Sequence, residues 1–152
     1  MDKYAILLGY FEKQHRIIEK LKNEITPLDL AIWENGYVFA MKAQQLFTAL
    51  EDLFKQIAKS FENHIEDLGN FHRELLVRMN TEIPGIRPAV IQQRTFIFLD
   101  KLRAFRHFIR HAYDVELDQK QLMDIQSLIK NDCTLVFADL NQFHKYLILL
   151  SK

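Results

Sequence analysis

The chain has one cysteine, three prolines and four glycines among its 152 residues, and its formal net charge is zero. Each scarcity closes off a class of protein. A lone Cys133 can form neither an intrachain disulfide nor a cysteine-rich zinc site, and a reducing compartment is its natural setting. So little glycine and proline leaves few turns, which argues against a sandwich or barrel of many short strands. Lys plus Arg and Asp plus Glu balance at 20 each, so no global basic field marks a nucleic-acid binder. Any attraction for a polyanion must be local. No apolar run approaches the roughly 20 residues of a membrane span. The opening MDKYAILLGYFEKQ has an apolar run of four residues, broken by Gly9, Tyr10 and charge, and does not read as a secretory leader. A cytoplasmic protein is expected. There is also no Gly-rich phosphate loop, no G-x-S-x-G and no acidic pair of the kind that holds Mg²⁺ for nucleotidyl transfer.

What is present is helix. Tyr4, Leu8, Phe11, Ile18, Leu21 and Ile25 recur at spacings of three, four and seven, the one-sided stripe of an amphipathic helix over roughly Asp2 to Ile25. Thr26-Pro27-Leu28-Asp29 reads as the start of a second helix, with Thr26 as N-cap and Pro27 in the first turn. That helix is expected to run from Pro27 to about Phe61, with a bend at Gly36. Asp67-Leu68-Gly69-Asn70 breaks the pattern, and a shorter helix from Phe71 to Met79 follows, with Leu75, Leu76 and Met79 inward. TEIPGIRP, Thr81 to Pro88, is turn chemistry. A helix from Ile91 to about Tyr113 comes next. Asp118 with Gln121 then opens a last helix reaching Leu150. The sum is an all-α antiparallel bundle of four long helices and a short one, a single domain over residues 1–152.

One segment stands out chemically. LRAFRHFIRHAYDVELD, Leu102 to Asp118, carries Arg106, His111 and Tyr113 in an R-x4-H-x-Y arrangement, with Arg103, His107 and Arg110 around them. At about 100° per residue, Arg106, His107, Arg110, His111, Tyr113 and Asp114 fall within about 80° either side of Arg103. Ala104, Phe105, Phe108, Ile109, Ala112 and Val115 fill the other side. A charged outer face is ordinary for a surface helix. This one, however, lacks the i,i+4 acid–base pairs that usually decorate such a face, and no acidic residue lies between Asp100 and Asp114. Arginine binds phosphate and histidine moves protons near neutral pH. Arg106 and His111 diverge by about 140° on one helix, so a single chain cannot easily aim both at one phosphate. Two copies about a two-fold axis could, which gives a homodimer with its site across the interface. Phe96 and Leu99 share the side of the polar stripe, so either a dimer contact or a helix of the same chain should cover it there.

The R-x4-H-x-Y motif within FRHFIRHAYD, the IPGIRP loop before it, the chain length and the helix order together resemble the HepT-like toxins of the HEPN superfamily. These are ribonuclease partners of minimal nucleotidyltransferase (MntA-type) antitoxins. The resemblance implies a helical homodimer that cleaves RNA, tRNA or mRNA, without a metal or other cofactor, at a cleft shared by both chains. Arg106 would stabilise phosphate charge and His111 would act as general acid or base on the ribose 2′-hydroxyl. Tyr113 would be the residue that the antitoxin modifies with AMP, adding negative charge beside the arginines. Arg103, His107 and Arg110 become supporting RNA contacts. The alternative is a non-catalytic HEPN binding module partnering a nucleotidyltransferase; a third reading is a structural bundle whose basic face docks an acidic partner.

Other signals are weaker. His107, His111 and Asp114 have i,i+4,i+7 metal spacing, but the arginines repel a cation and no metal is expected. His64 and His72 are expected to satisfy backbone groups near the helix break, and His15 and His144 to be ordinary helix positions. Trp33 and Tyr37 are expected in the core or at a dimer contact, Phe137 and Phe143 in the core, and Cys133 as a small buried thiol.

Overall fold

The computed structural model describes residues 2–62, 71–110 and 117–152, with backbone alone at 71, 72 and 110. Five helices account for nearly all of it: α1 Lys3–Ile25, α2 Trp33–Glu62, α3 Phe71–Met79, α4 Gln93–Arg110 and α5 Gln119–Leu150. Helix α1 packs on α2 and α5, while α4 lies against α2, α3 and α5. The architecture is the all-α bundle of four long helices and a short one that the periodicity predicts. The helix break at Asp67–Asn70 lies outside the described residues, as do His64 and the side chain of His72.

Aromatic residues dominate the interior. Phe11, Phe39, Phe47, Phe54 and Phe98 are fully buried, and Phe39 meets Phe105 edge-on at 6.1 Å between ring centroids, which ties α2 to α4. Phe143 is in this core, and Phe137 packs at its edge against the ring of His15. His144 holds Glu12 at 2.9 Å and joins α5 to α1.

The start of α2 differs from expectation. Thr26 ends α1 instead of opening α2: its N–H donates to the Lys22 carbonyl at 3.1 Å. Residues 27–32 form turns, in which the Asp29 carboxylate accepts from the Ala31 N–H at 3.0 Å. The cause is tertiary. The Gln126 amide on α5 donates to the Ile25 and Leu28 carbonyls, and Gln119 donates to the Leu30 carbonyl at 2.8 Å. Side chains from α5 thereby satisfy carbonyls at the end of one helix and in the turn that follows. Leu30 is buried by the same fold-over. Gly36 lies inside α2 and makes room for α5, since a Cβ there would sit 3.1 Å from Leu122 Cδ1.

The IPGIRP loop fixes where α4 begins. Gly85 has φ of 79°, the left-handed region where glycine is at least strain, and Ile83 pairs with Arg87 in an isolated bridge. Arg87 is buried and donates to the carbonyls of Arg78, Thr81 and Pro88. At the first turn of α4 the Asp139 carboxylate, reaching over from α5, accepts from the Gln92 N–H at 2.9 Å and the Thr95 hydroxyl at 2.6 Å. An acidic group at a helix N-terminus satisfies unpaired donors and favours the helix dipole. Asp118 does the same for α5, accepting from the Lys120 N–H at 3.0 Å.

Candidate functional site

Helix α4 carries the basic segment and buries Phe98, Leu99, Leu102 and Phe105. That arc centres near Leu102, so Arg106, one turn on, lies only about 40° away from it. Arg106 therefore does not belong to an outer face. Its side chain is 16% exposed and turns toward α2, where Nη1 lies 3.6 Å from Glu51 Oε1. The guanidinium also sits over the Phe47 ring, 5.4 Å from its centroid. Ala104, expected inside, is exposed instead. The wheel set Leu99 on the side of the polar stripe; counted as core with Leu102 and Phe105, it turns Arg106 inward. Leu99 is fully buried within the chain itself, so helices of the same chain cover this side of α4.

The apparent lack of paired acids is also corrected. Arg103 Nε donates to Asp100 Oδ1 at 2.8 Å, an i,i+3 pair, and Asp100 lies 3.8 Å from Arg73 of α3 as well. Arg106 has Glu51. Arg103 and Arg106, the arginines of the basic segment whose side chains are described, thus each face a carboxylate, which offsets their mutual repulsion. His107 is exposed. Arg110 is the last residue of the described helix, and His111 and Tyr113 lie outside the described residues.

Sequence reasoning missed Glu51, Phe47 and Lys55. Glu51 is only 5% exposed, and Lys55 Nζ lies 3.6 Å from its carboxylate, one turn along α2. A signal was available: Ala43, Phe47, Glu51, Phe54 and Ala58 follow spacings of four, four, three and four, and all five are buried. A carboxylate in the core register of a helix needs a partner charge, because burying it unpaired is expensive.

Elsewhere the surface is less expected. Trp33 and Tyr37 are 68% and 48% exposed and pack edge-to-face at 5.1 Å, so neither is core. Tyr37 and Met41 line a groove of about 1000 Å³ shared with Ile17 and Leu21 of α1 and with Ile109 and Leu117 of the basic segment. Cys133 is buried, and desolvation pushes its thiol up to about 12, which unsuits it as a nucleophile. Among the described residues no cluster of His, Cys, Asp or Glu could hold a metal; His111 and Asp114 fall outside them. Among those residues, too, no helix is long and apolar enough to cross a membrane.

A family model described as HepT-like protein matches residues 38–147. The chain belongs to the HepT-like family. The match runs from the second turn of α2 almost to the end of α5, so it contains both the R-x4-H-x-Y segment and Glu51. No curated protein and no solved structure matches the chain. Membership places this HepT-like protein in the HEPN superfamily and among toxin and ribonuclease modules.

Proposed function

We propose that this HepT-like protein is the ribonuclease toxin of a toxin–antitoxin pair, acting as a homodimer and without a metal. The observation that carries the reading is the placement of Arg106. Its guanidinium is gripped at the α2–α4 contact by a carboxylate and an aromatic face, where an arginine serving only solubility would extend into water. Family membership over the same segment supports it.

In this reading the RNA phosphate meets Arg106, which stabilises the charge that develops on its non-bridging oxygens. His111 takes the proton from the ribose 2′-hydroxyl as that oxygen attacks phosphorus. The bond from phosphorus to the 5′-oxygen breaks, leaving a 2′,3′-cyclic phosphate. The departing oxygen takes a proton from the imidazolium of the other copy. Arg103, His107 and Arg110 add contacts to neighbouring phosphates. Regulation falls to Tyr113. A cognate nucleotidyltransferase would join its phenolic oxygen to the α-phosphorus of ATP and release diphosphate, and the new phosphate would compete with RNA for the arginines.

Induced expression tests the reading. Wild type should arrest growth and degrade RNA, while Arg106→Ala and His111→Ala should do neither. Purified wild type should cleave RNA in the presence of a chelator. A harmless wild type with intact RNA removes the ribonuclease function and favours the binding module.

A further inference from the structure

Glu51 occupies a position that the packing of α2 would assign to a hydrophobic residue. Its neighbours along the buried stripe are Phe47, Leu50, Phe54 and Ala58, all under 3% exposed. A carboxylate is costly there, and it is held between two cations, Lys55 on its own helix and Arg106 on α4, each at 3.6 Å. A single counter-ion would have sufficed to neutralise it. With two, the carboxylate has a partner on its own helix as well as on α4. Phe47 lies one turn before Glu51 on the same stripe, and its ring lies under the Arg106 guanidinium. Helix α2 therefore meets that group at two points, the Glu51 carboxylate and the Phe47 ring.

We propose that Glu51 is a positioning residue for Arg106, acting with Phe47 to hold the guanidinium in the orientation that meets the RNA phosphate. The inference rests on the reading of Arg106 as the phosphate-binding group. A guanidinium carries five N–H donors in a planar fork, so it can meet a carboxylate and a phosphate together. Lys55 shares the charge of Glu51 with Arg106. Fixing the group before substrate arrives removes an ordering step from the reaction.

The test compares Glu51→Gln, Glu51→Asp and Phe47→Leu with Ile57→Val, a mild core change on the same helix. The first readout is the Arg106 Nε–H signal in ¹⁵N NMR, assigned by its loss in Arg106→Lys. It should be resolved from the solvent-exposed arginines in wild type and in Ile57→Val, and should collapse toward them in Glu51→Gln. The second is steady-state RNA cleavage. Glu51→Gln should lower kcat about 10- to 100-fold with KM within about three-fold, and Glu51→Asp should recover part of the loss. Ile57→Val should leave both unchanged. Should Glu51→Gln fail to fold, Phe47→Leu removes the ring beneath the guanidinium at little loss of volume and should shift the same signal and lower kcat. An unchanged Arg106 signal with kcat within two-fold in Glu51→Gln and Phe47→Leu overturns the proposal while leaving the ribonuclease intact. A wild type that cleaves no RNA overturns the ribonuclease reading instead. The Arg106 signal, which needs no activity, then decides on its own whether Glu51 holds the guanidinium.

Discussion

Arg87 offers the most direct test of how this bundle holds its connecting loop. Its side chain is completely buried, Nη1 donates to the Thr81 and Pro88 carbonyls, and Nη2 donates to the Arg78 carbonyl, all at 3.1 Å. Nη2 also lies 3.5 Å from Glu62 near the end of α2. One side chain thus joins the ends of α2 and α3 to the turn that leads into α4. Desolvation draws its pKa down, and the neighbouring Glu62 opposes that shift. Three hydrogen bonds from a charged donor are worth roughly 1.5–3 kcal/mol each, but desolvating a guanidinium costs several kcal/mol. Removing one partner of such a buried network typically costs about 3–5 kcal/mol. We expect about 4 kcal/mol for Arg87→Ala, which at roughly 2–4 °C per kcal/mol lowers Tm by about 10 °C. Arg87→Lys should lose about half as much, because an ammonium is a point donor that cannot span three carbonyls. Urea unfolding with unchanged m-values, beside the exposed control Arg94→Ala, gives the comparison. If Arg87→Ala falls within about 1 kcal/mol of that control, the guanidinium is not what holds the loop.

Asp139→Ala removes the acceptor at the start of α4 and should cost about 2 kcal/mol by urea unfolding, with Thr95→Val costing about 1 kcal/mol and the double variant less than their sum. Additive losses would show that the two side chains act separately. Cys133, raised to about 12, should resist alkylation in the folded protein at pH 8 and react on unfolding. Its linkage has a definite sign: the contribution is complete below the ordinary thiol value of 9.0 and declines as pH rises through about 12, so Cys133→Ala should flatten the alkaline loss of stability. Rapid native alkylation would contradict the burial. Sedimentation should give twice the chain mass, and a monomer at micromolar concentration would remove the shared site. Incubation with the cognate nucleotidyltransferase and ATP should raise the intact mass by one or more AMP units in wild type and not in Tyr113→Phe.

Some features could be read directly along the chain. The stripe from Phe11 to Ile25, the boundaries of α3 and the turn at Pro84-Gly85 all depend on neighbours within a few residues, and all three are found where local pattern puts them. Thr26-Pro27 misled for the opposite reason. Its local chemistry suits a helix start, but Gln119 and Gln126 on the far helix take the carbonyls of this region. The surroundings of Arg106 were illegible for a similar reason. Its carboxylate partner is on α2, and a glutamate in a helix reads as solvent-facing until the stripe around it is counted.

The amino-acid sequence by itself determined the all-helical class, the place of the loop before α4 and the segment bearing the R-x4-H-x-Y motif. Each follows from periodicity, backbone chemistry or residue identity over short spans. Only the tertiary structure decided that Arg106 faces inward, that Glu51 and Phe47 grip it, and that Trp33 and Tyr37 lie outside the core of the chain. The orientation of a helix about its own axis is set by everything packed against it. The wheel set Leu99 beside Arg106, but whether a dimer contact or a helix of the same chain covers that side depends on elements remote in sequence.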